Sequence, residues 1–469
     1  MAPVGAAGAV PSGSRRRNLN PKPLFDEPSL RAFLVGHGVK PVHMGKIWKH
    51  VLANLDEGKP PGLDEVPGIP DRIREPLARE FAVTTSTLVE THVSEIDGTM
   101  KLLIRLQDGG EIEAVVIHHS GIPLDADQRQ AERCGERDTL CVSSQVGCRL
   151  GCTFCATGTM GLQGNLWPGE IQEQLVHARL IKGHSTSICN VVFMGMGEPL
   201  ENFEAVCSSI RGMVDPFRFG IAPSSITVST VGSQPRNMRR LLEDLPKVKM
   251  AVSLHAPNQA LREQLVPAAK VLPINDLLAI VDEHALKMTG ESKKLKMVMV
   301  SYVLLKGVND SEENAKELAE LLKGRQVIVN LIPYNPFEGN VHEYEEPSPE
   351  AVDAFLKVLA NAELRVFERR HHGRDIAAAC GQLAKLGGKG IQPTSTNRMD
   401  IEDGSCNLNK ESDGVSMDRV KRPVAQVEIR ESPAELRPSS FSRWMLLPLT
   451  GAAAALAAGL LLRKYGRRS

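Results

Sequence analysis

Six short apolar runs, separated by segments with helical spacing, constrain the fold of this chain more than any other feature. Each run is rich in residues that favour β-structure, and the rhythm of strand, loop and helix begins near residue 139. This alternation predicts an α/β fold with a parallel sheet covered by helices, closed or partly closed into a barrel. The six runs are TLCVSSQVG, SICNVVFMG, SSITVSTVG, VKMAVSLHA, KMVMVSYVLL and QVIVNLIPY.

The segments around these runs predict helices and one hairpin. EIQEQLVHARLIKG is predicted to be a helix with Ile171, Leu175 and Ala178 on one face. From Leu24 to Val83 the apolar residues recur at three- and four-residue spacing, which indicates a small helical domain. The alternating stretch around the DGG at 108–110 predicts a β-hairpin that leads into the six runs.

The length of 469 residues is enough for two or three packed domains. Shifts in composition and periodicity give their boundaries. We predict a flexible N-terminal arm (1–22), a helical accessory domain (23–92), a β-hairpin connector (93–138), a barrel (139–388), a disordered linker (389–442) and a C-terminal transmembrane anchor (443–469).

The predicted anchor is a run of nineteen residues without a charge, from Trp444 to Leu462, followed by RKYGRRS. Its length suffices to cross a hydrocarbon core of roughly 30 Å, and Trp444 and the basic end are typical of interfacial anchors. Because seven residues follow Leu462, we expect a tail anchor in an organelle membrane, with the globular part facing the cytoplasm. The alternative is an Ala-rich soluble helix, which would leave the protein soluble in the cytoplasm or an organelle matrix.

Four of the nine cysteines lie within CVSSQVGCRLGCTFC, residues 141–155. Nine cysteines are too few for a disulfide scaffold, and their clustering indicates metal or redox chemistry in a reducing compartment. Cys148, Cys152 and Cys155 have the spacing C-x3-C-x2-C and directly follow the first run, where a barrel places its active groups. Three thiolates suit a four-iron cluster with one open iron. Zinc, which usually takes four protein ligands in structural sites, and incidental core thiols are the alternatives.

Several separated blocks together resemble the RlmN-type (RlmN/Cfr) radical S-adenosylmethionine adenosine methyltransferases. A single CxxxCxxC identifies only the superfamily, whereas the ordered set, which extends from about Leu24 to Leu386, identifies this family. The resemblance implies a partial (β/α)6 radical S-adenosylmethionine barrel with an N-terminal helical accessory domain, and the C-terminal single-helix tail is a departure from it. The blocks are TLCVSSQVGCRLGCTFCATG, FMGMGEPLENF, ITVSTVG, AVSLHAPN, YVLLKGVNDS, NLIPYNPF and HHGRDIAAACGQL.

The resemblance implies two cofactors, a [4Fe-4S] cluster and S-adenosylmethionine. Cys148, Cys152 and Cys155 match the cluster ligands of the family. The positions that match S-adenosylmethionine-binding residues are Gly197, Glu198, Ser229, Ser253, Leu254, His255 and Asn335.

Three further residues match the family's catalytic groups. Cys380, in AAACGQL, matches the cysteine that is methylated and then carries the carbon to adenine, because a thiolate is a good nucleophile. Cys141 matches the thiol that releases the product by forming a transient disulfide with Cys380. Glu113, in GEIEAVVI, matches the proton acceptor. Cys134, Cys189, Cys207 and Cys406 match no functional position.

By the same resemblance, the substrate is carbon 2 of adenosine in large-subunit (23S-type) rRNA or tRNA. Two alternatives remain at this point: methylation of carbon 8 by an enzyme of the same family, and a non-catalytic, membrane-tethered, metal-binding scaffold. We further expect a monomer that receives electrons from a donor such as a flavodoxin- or ferredoxin-like protein.

Overall fold

A ten-stranded sheet forms the centre of the protein in the computed structural model. The strand order is β14-β13-β12-β11-β10-β9-β6-β5-β4-β3, and two further two-stranded sheets are formed by β1 with β2 and by β7 with β8. The structure describes residues 19–57, 62–119, 137–182, 188–290, 297–337, 339–369, 372–379 and 381–383, which all belong to a unit of residues 1–395.

The fourteen described strands vary in length from two to nine residues. They are β1 (Lys22–Pro23), β2 (Phe81–Ala82), β3 (Thr87–Val93), β4 (Met100–Arg105), β5 (Glu111–His119), β6 (Arg137–Cys141), β7 (Gln145–Cys148), β8 (Gly161–Asn165), β9 (Ile188–Phe193), β10 (Ile226–Thr230), β11 (Lys249–Ser253), β12 (Val298–Leu304), β13 (Val327–Pro333) and β14 (Arg365–Glu368).

The described α-helices alternate with the strands from β9 onwards. They are α1 (Glu27–Gly36), α2 (His43–Asp56), α3 (Arg74–Glu80), α4 (Ala156–Thr159), α5 (Pro168–Lys182), α6 (Phe203–Val214), α7 (Pro235–Asp244), α8 (Gln259–Leu265), α9 (Ile274–Gly290), α10 (Glu312–Leu322) and α11 (Pro349–Asn361).

All six predicted apolar runs form strands, β6 and β9 to β13, and these lie next to one another in chain order. Every neighbouring pair among them is parallel, which confirms the predicted sheet. Their side chains are buried on both faces, as expected of a parallel sheet covered by helices. A seventh parallel strand, β14, pairs with β13 and was not predicted.

The predicted hairpin is confirmed, but it does not stand apart from the barrel sheet. β4 and β5 pair antiparallel on either side of the DGG turn, and β3 adds a third antiparallel strand. β5 also pairs antiparallel with β6, the first barrel strand. The hairpin strands therefore extend the barrel sheet at its β6 edge.

Helix α5 matches the predicted helix, but burial is not confined to its apolar face. Ile171, Leu175 and Ala178 are buried as predicted, and so is Glu173 on another face. The Glu173 carboxylate accepts hydrogen bonds of 2.9 Å from the backbone amides of Thr85 and Ser86. A polar side chain can be buried when its hydrogen bonds are satisfied, so α5 packs on all sides and anchors the turn before β3.

The helical part, α1 to α3, is joined to the barrel by a buried cation. Arg218, which follows α6, donates to the Glu27 carboxylate at 2.9 Å, and its guanidinium lies 4.2 Å from the Trp48 ring centroid. Such desolvated cation–π contacts are worth about 2 kcal/mol. Residues 19–22, predicted as part of the arm, include the buried Leu19 and the start of β1.

Several predictions fall on residues outside those that the structure describes. These are the first eighteen residues of the arm, Cys134, Cys380, Cys406, the linker 389–442 and the anchor 443–469. None of the described helices has the length and apolar character needed to cross a membrane.

The β7–β8 hairpin, which ends at Cys148, provides a test of the local fold. Gly147 has φ +71°, and a Cβ there would lie 1.9 Å from the carbonyl oxygen of Gly161. Gly109, in the DGG turn, has φ +86° with open space around it. We expect Gly109→Ala to lower the free energy of unfolding by about 1–2 kcal/mol for the left-handed backbone. Gly147→Ala should cost about 1–3 kcal/mol more, because β8 must move.

Urea unfolding of both variants and the wild type measures this difference. Equal losses of stability would show that the close approach of β7 to β8 is not required for folding.

Candidate active site

The three cysteines of the C-x3-C-x2-C motif lie at the carboxyl edge of the sheet. Cys148 ends β7, and Cys155 directly precedes the short helix α4. The loop between them is held from two sides: Thr153 N donates to Leu265 O of α8 at 3.0 Å, and Ala156 N donates to Gly381 O at 2.8 Å. The backbone therefore fixes the position of the three thiols.

Burial disfavours thiolate formation at this site. Desolvation raises the pKa of Cys148 to about 12 and that of Cys152 well above its usual range. Thiols in such a site keep their protons until a cation binds and supplies the compensating charge. Within the part of the chain that the structure describes, no three His, Cys, Asp or Glu side chains converge on one metal ion. An iron–sulfur cluster does not require the three side chains to converge on one ion, because each thiolate binds a different iron atom.

A cavity of about 160 Å³ opens beside the three thiols. Its walls come from the carboxyl ends of five parallel strands and the loops that follow them. Most of the predicted cofactor residues line it, which brings together segments more than 180 residues apart. The predicted residues in its walls are Cys148, Cys152, Cys155, Gly197, Glu198, Ser229, Ser253, His255 and Asn335.

Gly197 and Glu198 form a tight turn after β9. Gly197 has φ +99°, and a Cβ there would lie 2.6 Å from the Gln145 side chain, so no other residue fits without a shift. The Glu198 carboxylate accepts from Leu200 N at 3.2 Å and from Val231 N at 3.1 Å. Desolvation raises its pKa to about 7. This buried carboxyl group can bind a cationic group that enters the cavity.

The next strands contribute small polar groups. Ser229 Oγ and Ser253 Oγ lie 3.4 Å apart across β10 and β11. His255 has φ +62°, and its Nδ1 accepts from Val303 N at 3.1 Å, so the ring is held as a neutral imidazole; burial lowers its pKa to about 3. The Leu254 side chain packs in the core and does not line the cavity, which leaves only its backbone for a ligand.

Asn335 supplies a direct indication that a ligand belongs here. Its side chain is buried, and its Oδ1 has no hydrogen-bond partner among the described residues. An unsatisfied buried acceptor costs about 1–3 kcal/mol. A hydrogen-bond donor on a bound group would remove that cost. The desolvated thiols fit the [4Fe-4S] cluster that the resemblance predicts. The Glu198 carboxyl and the Asn335 oxygen fit the second predicted cofactor, S-adenosylmethionine, which carries an amino-acid group.

A second, smaller cavity of about 20 Å³ adjoins the first. Cys141, at the end of β6, is buried in its wall together with Ala379, and both cavities share Asn335 and Arg369. Ala379 lines the small cavity and Gly381 lines the large one. Cys380 itself lies outside the described residues, but its two neighbours in sequence face the two cavities.

Glu113 is buried on β5 and does not line either cavity. Val115, two residues after Glu113 on β5, pairs with Cys141. Since residues two apart on a strand share a face, Glu113 and Cys141 point to the same face of the sheet. The Lys101 ammonium lies 3.4 Å from Glu113 Oε1 and 3.4 Å from the carbonyl oxygen of Ala377. This lysine connects the carboxylate to the segment that precedes Cys380.

Sequence reasoning missed several residues that build this site. The Gln174 amide of α5 binds both the N–H and the carbonyl of Ser143 at 2.8 Å, which fixes the loop after Cys141. Arg369 brings positive charge to both cavities, and Lys101 places a positive charge beside Glu113. Only Lys101 had a sequence signal, as a charged residue on the mostly apolar hairpin strand that pairs with the strand of Glu113.

Comparisons with known proteins agree with the geometry. The Radical SAM superfamily matches residues 142–319. A probable dual-specificity RNA methyltransferase RlmN 2 from Protochlamydia amoebophila is 38% identical over 361 residues, which cover 77% of this chain and 93% of the relative. The dual-specificity RNA methyltransferase RlmN of Nitratidesulfovibrio vulgaris is 42% identical over 325 residues, 68% of this chain and 83% of the relative.

A solved structure shows the same architecture. The crystal structure of a radical SAM methyltransferase from Sphaerobacter thermophilus matches with a TM-score of 0.66 and 37% identity, and covers 77% of this chain and 99% of that chain. The fold, the position of the three cysteines and these relatives lead to one conclusion. The chain belongs to the RlmN-type family of radical S-adenosylmethionine RNA methyltransferases.

Proposed function

We propose that this protein methylates carbon 2 of adenosine in structured RNA, with large-subunit rRNA and tRNA as substrates, through a methyl-cysteine intermediate. The observation that carries the proposal is the shared wall of the two cavities. One cavity holds the predicted cofactor residues, and the other holds Cys141 beside Ala379, next to the predicted methyl carrier Cys380. The relatives are named as dual-specificity RNA methyltransferases, and the comparisons do not favour the carbon 8 alternative.

Family membership implies a [4Fe-4S] cluster and S-adenosylmethionine as cofactors. We assign Cys148, Cys152 and Cys155 to the cluster. Glu198 and Asn335 are assigned to S-adenosylmethionine, because one offers a carboxyl group to its ammonium and the other an unsatisfied acceptor. When bound, these cofactors supply the methyl group and the radical chemistry that an unreactive ring carbon requires.

The remaining steps belong to side chains of this chain. The Cys380 thiolate accepts the methyl group and carries its carbon to the adenine ring, so that protein and RNA become covalently joined. Glu113 accepts the proton that leaves carbon 2. The Cys141 thiolate then attacks the Cys380 sulfur; a sulfur–sulfur bond forms, and the bond between sulfur and the bridging methylene carbon breaks with its electron pair left on carbon. Uptake of a proton by that carbon completes the methyl group on the base.

The radical chemistry also requires a source of electrons. Reductive cleavage of the cofactor needs one electron at low potential, and we propose a flavodoxin- or ferredoxin-like donor. We further propose that the protein acts as a monomer.

The position of the methyl group is the direct test of the function. RNA treated with the reconstituted enzyme and digested with nucleases should yield 2-methyladenosine by mass spectrometry against both isomer standards. Cys380→Ala should yield none, because the carrier is absent. Formation of 8-methyladenosine would assign the protein to the alternative reaction.

Cys141→Ala tests the division of roles among the cysteines. If Cys141 only resolves the adduct, the variant should keep about four irons per chain, accept a methyl group on Cys380 and still cleave S-adenosylmethionine. It should then stop with RNA attached through Cys380, seen as a nuclease-sensitive mass shift.

The double variant, Cys141→Ala with Cys380→Ala, is the control and should show no such shift. Loss of iron in Cys141→Ala would make Cys141 a ligand or a folding residue and contradict its role as the resolving thiol.

We also propose that residues 444–462 anchor the protein in an organelle membrane, with the enzyme facing the cytoplasm. The proposal rests on the uncharged span, on Trp444 and on the basic segment RKYGRRS. A short span with a basic end favours an outer membrane of an organelle. Full-length protein should stay with membranes after carbonate extraction, and deletion of 443–469 should release it. Carbonate-soluble full-length protein would instead support the soluble helix.

A further inference from the structure

A buried arginine lies behind the cysteine loop and has no role in the function described so far. Arg262, on α8, is fully buried. Its Nη2 donates to Val231 O at 2.6 Å, whereas Nε and Nη1 have no hydrogen-bond partner in the described part of the chain. Buried guanidinium groups are normally paired, because an uncompensated charge in the interior costs several kilocalories per mole.

The described part of the chain offers this charge no carboxylate partner. Among the described residues, none of the Asp or Glu side chains forms an ion pair with Arg262. Burial lowers its pKa to about 10, and the group that acts in the opposite direction is Cys152. In turn, Arg262 opposes the desolvation that raises the pKa of the Cys152 thiol. Arg262 and the predicted cluster ligand Cys152 therefore lie close enough to interact electrostatically.

The surrounding contacts hold Arg262 against the cysteine loop. The preceding residue, Leu261, packs against the same apolar cluster as Cys152 and Cys155, and the end of α8 accepts the hydrogen bond from Thr153 N through Leu265 O. Val231, which accepts from Arg262, lines the large cavity, but Arg262 does not. The guanidinium thus binds the backbone of the cavity wall without lining the cavity itself.

Two of the other charged groups near the thiols are carboxylates. Glu198 and Glu201 both raise the pKa of Cys148. Arg149, the exposed cation beside Cys148, is already bound to Glu201 at 2.8 Å. Arg369 also lines the large cavity but is only half-buried, so among the described residues Arg262 is the fully buried cation at this site.

We propose that Arg262 is a positioning residue for the cluster: its fixed positive charge stabilises the reduced state and raises the reduction potential. The inference rests on the assignment of Cys152 as a cluster ligand, and not on the RNA or the position that is methylated. Adding one electron makes the site more negative by one charge. A cation held in a medium of low dielectric constant favours that state more than the oxidised one.

Three variants test the proposal. Arg262→Met removes the charge and keeps an apolar stem, and Arg262→Lys keeps the charge. Arg239→Met is the matched control, because Arg239 is an exposed arginine of α7 that pairs with Glu283 at 3.0 Å. Iron per chain and the midpoint potential, from a mediated dithionite titration followed by electron paramagnetic resonance, are measured without S-adenosylmethionine or RNA.

In Arg262→Met with full iron content, the equilibrium constant for reduction of the cluster should fall at least tenfold. For one electron, this corresponds to a shift of the midpoint potential by about 59 mV to more negative values. Arg262→Lys should recover most of the shift, and Arg239→Met should match the wild type. These readouts use no RNA, so a failed prediction about carbon 2 would leave them unchanged.

Three results would overturn the inference. An unchanged reduction potential in Arg262→Met with full iron content excludes the charge effect. If that variant also binds S-adenosylmethionine more weakly than the wild type, the guanidinium serves that cofactor instead. Equal shifts in the methionine and lysine variants would assign the effect to packing. If Arg262→Met does not hold iron, the result for Arg262→Lys decides between the explanations. A lysine variant that holds iron with a potential close to that of the wild type supports the role of the positive charge. Loss of iron in both variants contradicts that role.

Discussion

The parallel pairing of β6 with β9, and of β9 to β13 with one another, is the constraint on which the rest of the structure depends. In parallel strands all carboxyl ends point to the same edge, and right-handed helical crossovers return the chain to the opposite edge each time. Loops that are far apart in sequence therefore meet at one place. The cysteine loop, the turn of Glu198 and the side chain of Asn335 share a cavity because of this pairing.

The site concentrates polar groups whose burial is unfavourable in the protein alone. Glu198 is held with a raised pKa, Asn335 Oδ1 is unsatisfied, and Arg262 carries a charge without a carboxylate partner among the described residues. A fold that only had to be stable would replace these groups with apolar ones. Their presence at one edge of a well-packed sheet indicates that the protein without cofactors is less stable at this site than it could be. A bound ligand of complementary charge or hydrogen bonding removes the free-energy cost of burying each group.

The sequence predicted the sheet well because its strands are buried on both faces and are therefore continuous apolar runs. It did not predict β14, whose four residues are mostly exposed and lack such a run. The β7 and β8 hairpin was also missed, since GLQGN contains two glycines and no alternation. Motif likeness located most of the cavity residues. Arg262 was missed because a charged residue in the short segment QALREQL is typical of a surface helix, and only tertiary packing buries it.

The antiparallel extension of the sheet has a chemical consequence of its own. A parallel barrel presents to its active edge only the residues at the carboxyl ends of its own strands, and in this chain those positions already carry thiols and cofactor-binding groups. The β5–β6 pairing brings in a strand from outside the barrel, with Val115 opposite Cys141 and Glu113 two residues further along the same face. Lys101 on β4 then reaches both Glu113 and the backbone of Ala377. The proposed proton acceptor and resolving thiol are thus placed by one antiparallel register, and a slip of one residue would turn Glu113 to the opposite face.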